Sequence, residues 1–328
     1  MAAVSGNAST LGRNPLAGNP KRRAKETRVK VLFGGAAGLS LVISLLIVGS
    51  LLFKAEQFLA DLINPPPETL EAAGPDGVGV SSLVGDQWSP RLLEFDVKTL
   101  LVGSIIVTIV AMLVAGPIGF GAAIYLSEYA QPRVRRVLKP VIEVLAGIPS
   151  VVLGFFALKW IGPNIVDRLF NSGNQSLLAA GLGVGILTIP LVASVSEDAM
   201  RSVPNALREA SAGLGARKMT TSVNVVVPAA ISGLVAALII ATSRAIGETM
   251  VVFLAAGGSG NSAQFTLNPL DKGATMTAAM ASQAAGSEGL IIDTAFNSLF
   301  FVGAVLFVIT LLLNVFADRF VRRVRQAY

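Results

Sequence analysis

Cysteine and histidine are both absent from this 328-residue chain. Their absence excludes disulfides, thiolate nucleophiles, Cys/His zinc sites and every histidine-dependent catalytic triad. Charge is scarce as well: 14% of residues are Asp, Glu, Lys or Arg, while 53% are hydrophobic. Soluble domains carry about a quarter charged residues, so this is a polytopic membrane protein in its composition. Also missing is a Gly-x-x-x-x-Gly-Lys-Ser/Thr loop, and Gly213-Leu214-Gly215-Ala216-Arg217-Lys218 does not supply one. The chain therefore lacks a phosphate cradle of its own for ATP. Its net charge of +6 is scattered in short clusters beside apolar runs, which is not the contiguous basic face of a nucleic-acid binder.

What is present is a series of long apolar runs. About 20 apolar residues cross a bilayer core, and six stretches qualify: Val31–Phe53, Leu100–Leu126, Val144–Trp160, Leu177–Ser196, Val225–Ala256 and Ala295–Ala317. The second and fifth are long enough to tilt or bend, and Gly116-Pro117 provides a bend in the second. Val144–Trp160 is short, and its Lys159 is expected to snorkel to the interface beside Trp160. Lys and Arg collect before the first span, between the second and third, in the loop before the fifth, and after the last. That asymmetry predicts cytoplasmic N and C termini. The expected layout is a disordered basic cytoplasmic tail over 1–30, a first helix over 31–53 and an extracytoplasmic loop over 54–97. A core of five helices over 98–320 and a basic tail over 321–328 follow. The outer loop is rich in Pro, Gly and acidic residues and is expected to be irregular, with Trp88 and Phe95 anchoring its return to the bilayer.

Within the core, residues 198–228 form a polar, basic loop. Ser202 is placed to cap a short helix, Pro204 suits its first turn, and Asn205–Ala210 continue it until Gly213 and Gly215 break it. Small side chains at Ala210, Ser211, Ala212 and Gly213 would let a partner's surface approach the backbone, and Arg201, Arg208, Arg217 and Lys218 keep the segment wet. The costly membrane residues are Arg244 and Glu248, in Thr242-Ser243-Arg244-Ala245-Ile246-Gly247-Glu248-Thr249. An Arg at a span centre costs about 2.5–3.5 kcal/mol. The four-residue spacing predicts one helix face for the pair, flanked by Ser243 and Thr249. Two readings stand: a mutually satisfied ion pair that fixes packing, or an anion site on a translocation path, where the guanidinium fork suits phosphate. Glu248 would then favour an oxyanion that still carries a proton. Glu128 and Glu143 are expected to make packing or loop contacts.

The run Glu209-Ala210-Ser211, Gly215, Val225, Val227 and Pro228 resembles the EAA coupling loop of ABC-importer permeases: Glu-Ala-Ala, three residues, Gly, nine residues, Ile-x-Leu-Pro. The spacing is kept, with Ser211, Val225 and Val227 in place of Ala, Ile and Leu. Further segments are similar to phosphate-specific transport (Pst) permeases: Gly116-Pro117-Ile118-Gly119, Tyr125-Leu126-Ser127-Glu128-Tyr129, Gly147-Ile148-Pro149-Ser150 with the run to Phe156, and Arg244-Ala245-Ile246-Gly247-Glu248-Thr249-Met250. Met250-Val251-Val252 and the long first outer loop resemble the PstC-type subunit more than its PstA-type partner.

The resemblance implies an all-α type I ABC importer permease of six helices in the bacterial plasma (inner) membrane. It also implies a PstA-type permease, two PstB-type ATPase subunits and an extracytoplasmic PstS-type phosphate-binding protein as partners. Such a subunit is not an enzyme and holds no cofactor; ATP and Mg belong to the ATPase. Glu209, Ala210, Ser211 and Gly215 would contact that ATPase. Arg244, Glu248, Ser243, Thr249 and Ser150 would line the anion path. A permease for phosphonate, sulfate or molybdate, a secondary anion transporter or channel, and a membrane scaffold are the competing readings.

Overall fold

The computed structural model describes residues 20–73, 78–258, 263–285 and 292–324. The tail expected before residue 20 and the last four residues of the basic C-terminal tail lie outside these. The chain divides into two units, the first reaching Leu51 and the second running from Leu52 onward. Helix α1 (Pro20–Ile63) begins well before the apolar run. The segment 20–30, expected to be disordered, is helical, as its Lys, Arg, Ala and Glu residues favour.

The second unit follows in chain order. A short α2 (Pro67–Ala73) leads to β1 (Gln87–Ser89) and β2 (Glu94–Phe95), then α3 (Val97–Ile124), which ends in a π-helical turn over Tyr125–Tyr129. α4 (Pro132–Leu145) precedes α5 (Ser150–Phe156), which runs through π-helical backbone (Ala157–Asp167) into α6 (Arg168–Phe170). α7 (Leu177–Arg201) is followed by α8 (Asn205–Gly213), α9 (Lys218–Thr221) and α10 (Val227–Ala229). α11 (Ile231–Ile246) and α12 (Met250–Ala255) come next, then β3 (Ala263–Gln264), α13 (Met276–Ala285) and α14 (Asp293–Val324). Among the described residues five helices are long and apolar enough to cross a membrane, and six spans result if the 70° bend between Lys218–Ala229 and Ile231–Ile246 lies within one.

Three expectations about the spans change. The third does not start at Val144. Val144 and Leu145 close α4, and a new helix starts at Ser150 because Pro149, lacking an N–H, stands at its N-cap position. The fifth is not a single rod: it bends near Ala230 and breaks again at Gly247. The outer segment is not irregular throughout. β1 pairs with β2 and with β3 in the order β2-β1-β3, Trp88 lying opposite both Phe95 and Ala263. Trp88 and Phe95 are fully buried in a cluster with Phe58 and Met276, against which the half-buried Phe301 packs. Phe58 meets Phe95 edge-on at 5.0 Å, an arrangement the ring quadrupoles favour.

α7 is the central helix, and glycines set its packing distances. A Cβ at Gly181 would fall 2.6 Å from Val110 Cβ, and one at Gly185 would fall 3.1 Å from the Ala111 carbonyl oxygen, both on α3. At Gly183 it would meet Ala157 Cβ and Val251 Cγ1 at 2.9 Å. In a bilayer lipid is as apolar as leucine, so helices associate through such close backbone approach. Gly162 lies against Asn174, just before α7 starts. Lys159 and Trp160 are therefore level with the Leu177 end of α7, with Trp160 stacked on Phe156 and the Lys159 ammonium 5.9 Å from the Phe155 ring centre.

Candidate functional site

The first group of residues gathers at the Arg201 end of α7. Helix α8 closes with a Schellman arrangement: the Ala216 N–H donates to the Ser211 carbonyl at 3.1 Å and the Gly215 N–H to Ala212 at 2.9 Å. Gly215 has φ +77°, a region that costs a residue with a Cβ, so the glycine of the spacing pattern is the left-handed stop of this helix. Glu209 and Ala210 are exposed, and beyond the helix Leu214 is 89% and Met219 69% exposed. Ser211 does not join this surface. It is buried and shares a 2.8 Å hydrogen bond with Thr221, which fixes the loop from inside. Nor does Ser202 cap α8: its hydroxyl donates back to Ala199, finishing α7, and Pro204 takes the N-cap position.

Sequence reading did not find what holds this loop to the rest. Arg208 turns inward beside the outward Glu209. Its Nη2 and Nε reach the two Glu128 oxygens at 2.9 and 3.4 Å, and it also donates to the Met200 and Val203 carbonyls at 2.9 and 2.7 Å. Glu128 does make the loop contact expected of it. Nearby, the fully buried Glu197 of α7 is paired with Arg135 and, at 3.0 Å, with Lys139, both on α4. Partial burial pulls the Lys139 ammonium down, but hydrogen bonds to Asp198 and Glu197 outweigh it and raise its pKa above the usual 10.5. These groups line or adjoin a cavity of about 860 Å³. Only the chain-distant positions of the partners kept the network out of reach, since each charge alone reads as a solvated loop residue.

The second group lies at mid-height of the helices. Ala241 packs with Ala115 and Val192, and Val251 lies against Gly183. Residues 244–249 therefore sit between the levels of Val192 and Gly183, near the centre of α7. Here the expected geometry fails: Gly247 ends α11, so Glu248 is not on Arg244's helical face. Among the described residues neither side chain takes part in an ion pair. Arg244 is exposed and Glu248 half-buried. Ser243 donates to Asn314 of α14 at 3.1 Å, and Thr249 folds back on the Gly247 carbonyl at 3.3 Å. The Glu248 main-chain carbonyl accepts 2.8 Å from Thr277 at the start of α13, a residue that no sequence pattern marked. Ser150, half-buried, opens α5, and one turn later Gly154 lies against the Met250 and Val251 backbone. Arg244 and Glu248 thus flank one break, with Thr277 bonded to its backbone, while Ser243 faces Asn314 and Ser150 opens a helix that packs just beyond it.

The pattern of the family described as "Binding-protein-dependent transport system inner membrane component" matches residues 115–326. The "Probable ABC transporter permease protein YqgH" of Bacillus subtilis is 36% identical over 200 residues, covering 60% of this chain, which spans 64% of that relative's length. The "Phosphate transport system permease protein PstC" of Xylella fastidiosa is 30% identical over 258 residues, covering 73% of this chain and 78% of its own. "PstC 1" of Mycobacterium tuberculosis is 32% identical over 249 residues, covering 69% and 72%. A solved inward-facing structure of the MetNI methionine ABC transporter overlays 70% of this chain and 94% of its own with a TM-score of 0.50 at 21% identity, which is a likeness of fold.

Proposed function

This chain belongs to the binding-protein-dependent transport inner membrane components, with a type I ABC importer permease fold and PstC-type relatives, and from that premise we propose that it is the PstC-type permease subunit of an ATP-driven importer of inorganic phosphate. The observation that carries the reading is the loop helix α8. It presents Glu209 and Ala210 outward beside exposed Leu214 and Met219, closed by Gly215, in the register of a coupling loop. An apolar, shape-limited knob with one carboxylate fits a socket on a soluble ATPase that offers a cation.

The assembly comprises this chain, a PstA-type permease, two PstB-type ATPase subunits that hold ATP and Mg, and a PstS-type phosphate-binding protein outside. It sits in the bacterial plasma membrane with both termini in the cytoplasm. The chain itself catalyses nothing. Closure of the ATPase dimer displaces α8, and that displacement rocks the spans to alternate access. The anion path runs past the break at Gly247, where Arg244 presents an exposed guanidinium, unpaired among the described residues, and Glu248 a carboxylate, and Ser243, Thr249 and Ser150 line it. An exposed arginine at that depth needs water, a partner subunit or an anion against it.

Reconstituted vesicles carrying the four-component assembly test the reading. Labelled phosphate should accumulate only with ATP and binding protein, and excess sulfate should compete poorly. Uptake that survives an ATPase-dead partner, or that sulfate abolishes, would refute it.

A further inference from the structure

We infer that Arg208 is the clamp that makes the coupling helix, the end of α3 and the end of α7 move as one rigid body. The inference rests on the coupling role proposed for α8 but not on the identity of the anion. Without the clamp α8 is held by two short connections, Ser202–Pro204 and Leu214–Arg217, by the Ser211–Thr221 hydrogen bond, which ties it to α9 but to neither α3 nor α7, and by Leu207, which packs against the cluster of Ala123, Met200, Val203, Val226 and Ala230. Apolar burial of that kind is non-directional and resists sliding or rotation poorly. A push from a docked ATPase would be absorbed by rotation of α8.

Arg208 removes that freedom. The guanidinium is a rigid plane whose three nitrogens are directed at the ends of two different spans and at the connection that follows α7. Toward α3 it forms a two-pronged pair with Glu128, which Ser127 also steadies with a 2.9 Å hydrogen bond. Glu128 sits in the π-helical turn that ends α3, and its side chain is only 7% exposed. Toward α7 the same side chain donates to the carbonyl of Met200, in its last turn, and to that of Val203, in the connection to α8, at a helix C-terminus where a cation is favoured. One residue thus fixes both the position and the orientation of α8 against the two spans that pack most closely on each other. A lysine keeps the charge but supplies no planar fork, so it would hold one span at a time.

Two measurements on the complete assembly test this. In the first, Arg208→Ala, Arg208→Lys and Glu128→Gln are compared with native for phosphate imported per ATP hydrolysed. Loss of a coupled pair of this kind predicts a fall of about fivefold or more in that ratio, with the ATPase still co-purifying. Arg208→Lys should be intermediate, and the exchanged pair Glu128→Arg with Arg208→Glu should recover part of the ratio. An unchanged ratio in Arg208→Ala would overturn the inference. So would loss of ATPase binding, because Arg208 would then be a docking residue. The second measurement needs no substrate assignment. The chain lacks cysteine, so spin labels at Ala212→Cys and Gln131→Cys report their own separation. It should stay fixed through the nucleotide cycle in the native background and broaden in Arg208→Ala. A native separation that changes with nucleotide would overturn the clamp. Failure of the native assembly to import phosphate would refute the substrate reading alone.

Discussion

The hydroxyl of Thr277 donates to the main-chain carbonyl of Glu248 across 2.8 Å, joining the start of α13 to the gap between α11 and α12. That carbonyl belongs to a backbone with no helical partner at that point, because Gly247 has ended α11. Thr277→Val keeps the shape and removes the donor, so the Glu248 carbonyl is left unpaired at a cost of about 1–3 kcal/mol. The expected result is a normally assembled complex with uptake reduced roughly tenfold, and near-native uptake for Thr277→Ser. Full uptake by the valine variant would show that the break holds itself.

Glu197 is fully buried in α7 while Arg135 and Lys139 keep about a quarter of their side chains exposed. Glu197→Gln leaves two cations facing a neutral amide. Breaking a wholly buried pair costs about 3–5 kcal/mol, and solvent access to the cations reduces this to about 2 kcal/mol. Thermal unfolding of the purified protein in lipid nanodiscs should show a lowered Tm for Glu197→Gln. Exposed Glu143→Gln, a change on the same cavity wall, should leave it in place. Equal Tm values for the two would remove Glu197 from the list of anchors.

Lys139 gives a pH dependence of definite sign. Its folded pKa is raised above 10.5, so its contribution is complete below the unfolded value and disappears as pH rises through the folded one. Asp198 is the first of the groups that raise it. The alkaline fall in Tm should therefore start at the same pH but be smaller and end at lower pH in Asp198→Asn than in the native protein. A fall of the same size and extent in both would contradict the assignment.

Gly215 is the left-handed stop of α8, at φ +77° with open space around it. Gly215→Ala meets no clash, so its cost is conformational, about 1 kcal/mol. The helix would fray at the surface proposed to dock the ATPase. Weaker retention of the ATPase subunits at unchanged Tm is expected, and Gly215→Asn, which tolerates this region better, should be milder. Equal retention in alanine and native proteins would mean that the turn is not part of the docking surface.

Sequence periodicity and composition disclosed the spans because hydropathy over twenty residues is a local quantity. The Glu209–Gly215 register disclosed α8 for the same reason: a run of helix formers and a glycine stop are written within a few residues, whereas the capping by Ser202 and the outward place of Ser211, which depend on neighbours, did not hold. What stayed hidden was non-local. Arg208 and Glu128 are 80 residues apart, and β3 reaches β1 from far along the chain, so neither the clamp nor the burial of Trp88 has a local signal. Glu248 misled for a subtler reason. An i to i+4 spacing implies a shared face only if the helix continues, and Gly247 ends it.

Arg244 and Glu248 carry the most specific expectation. Near neutral pH phosphate retains a proton to donate, and sulfate has none. If the path runs as proposed, the Glu248 carboxylate would accept that proton's hydrogen bond and repel sulfate, so selectivity should reside in Glu248 and affinity in Arg244. Glu248→Gln replaces the acceptor charge with an amide. Loss of one hydrogen bond to a charged group, about 1.5–3 kcal/mol, should reduce the preference for phosphate over sulfate by roughly tenfold or more while ATP-driven uptake persists. Arg244→Lys keeps the charge but not the two parallel donors, and uptake should fall roughly tenfold with selectivity retained. The measurement is competition between labelled phosphate and sulfate in reconstituted vesicles. An unchanged preference in Glu248→Gln would remove its discriminating role, and native uptake by Arg244→Lys would reduce the arginine to a point charge that any cation replaces.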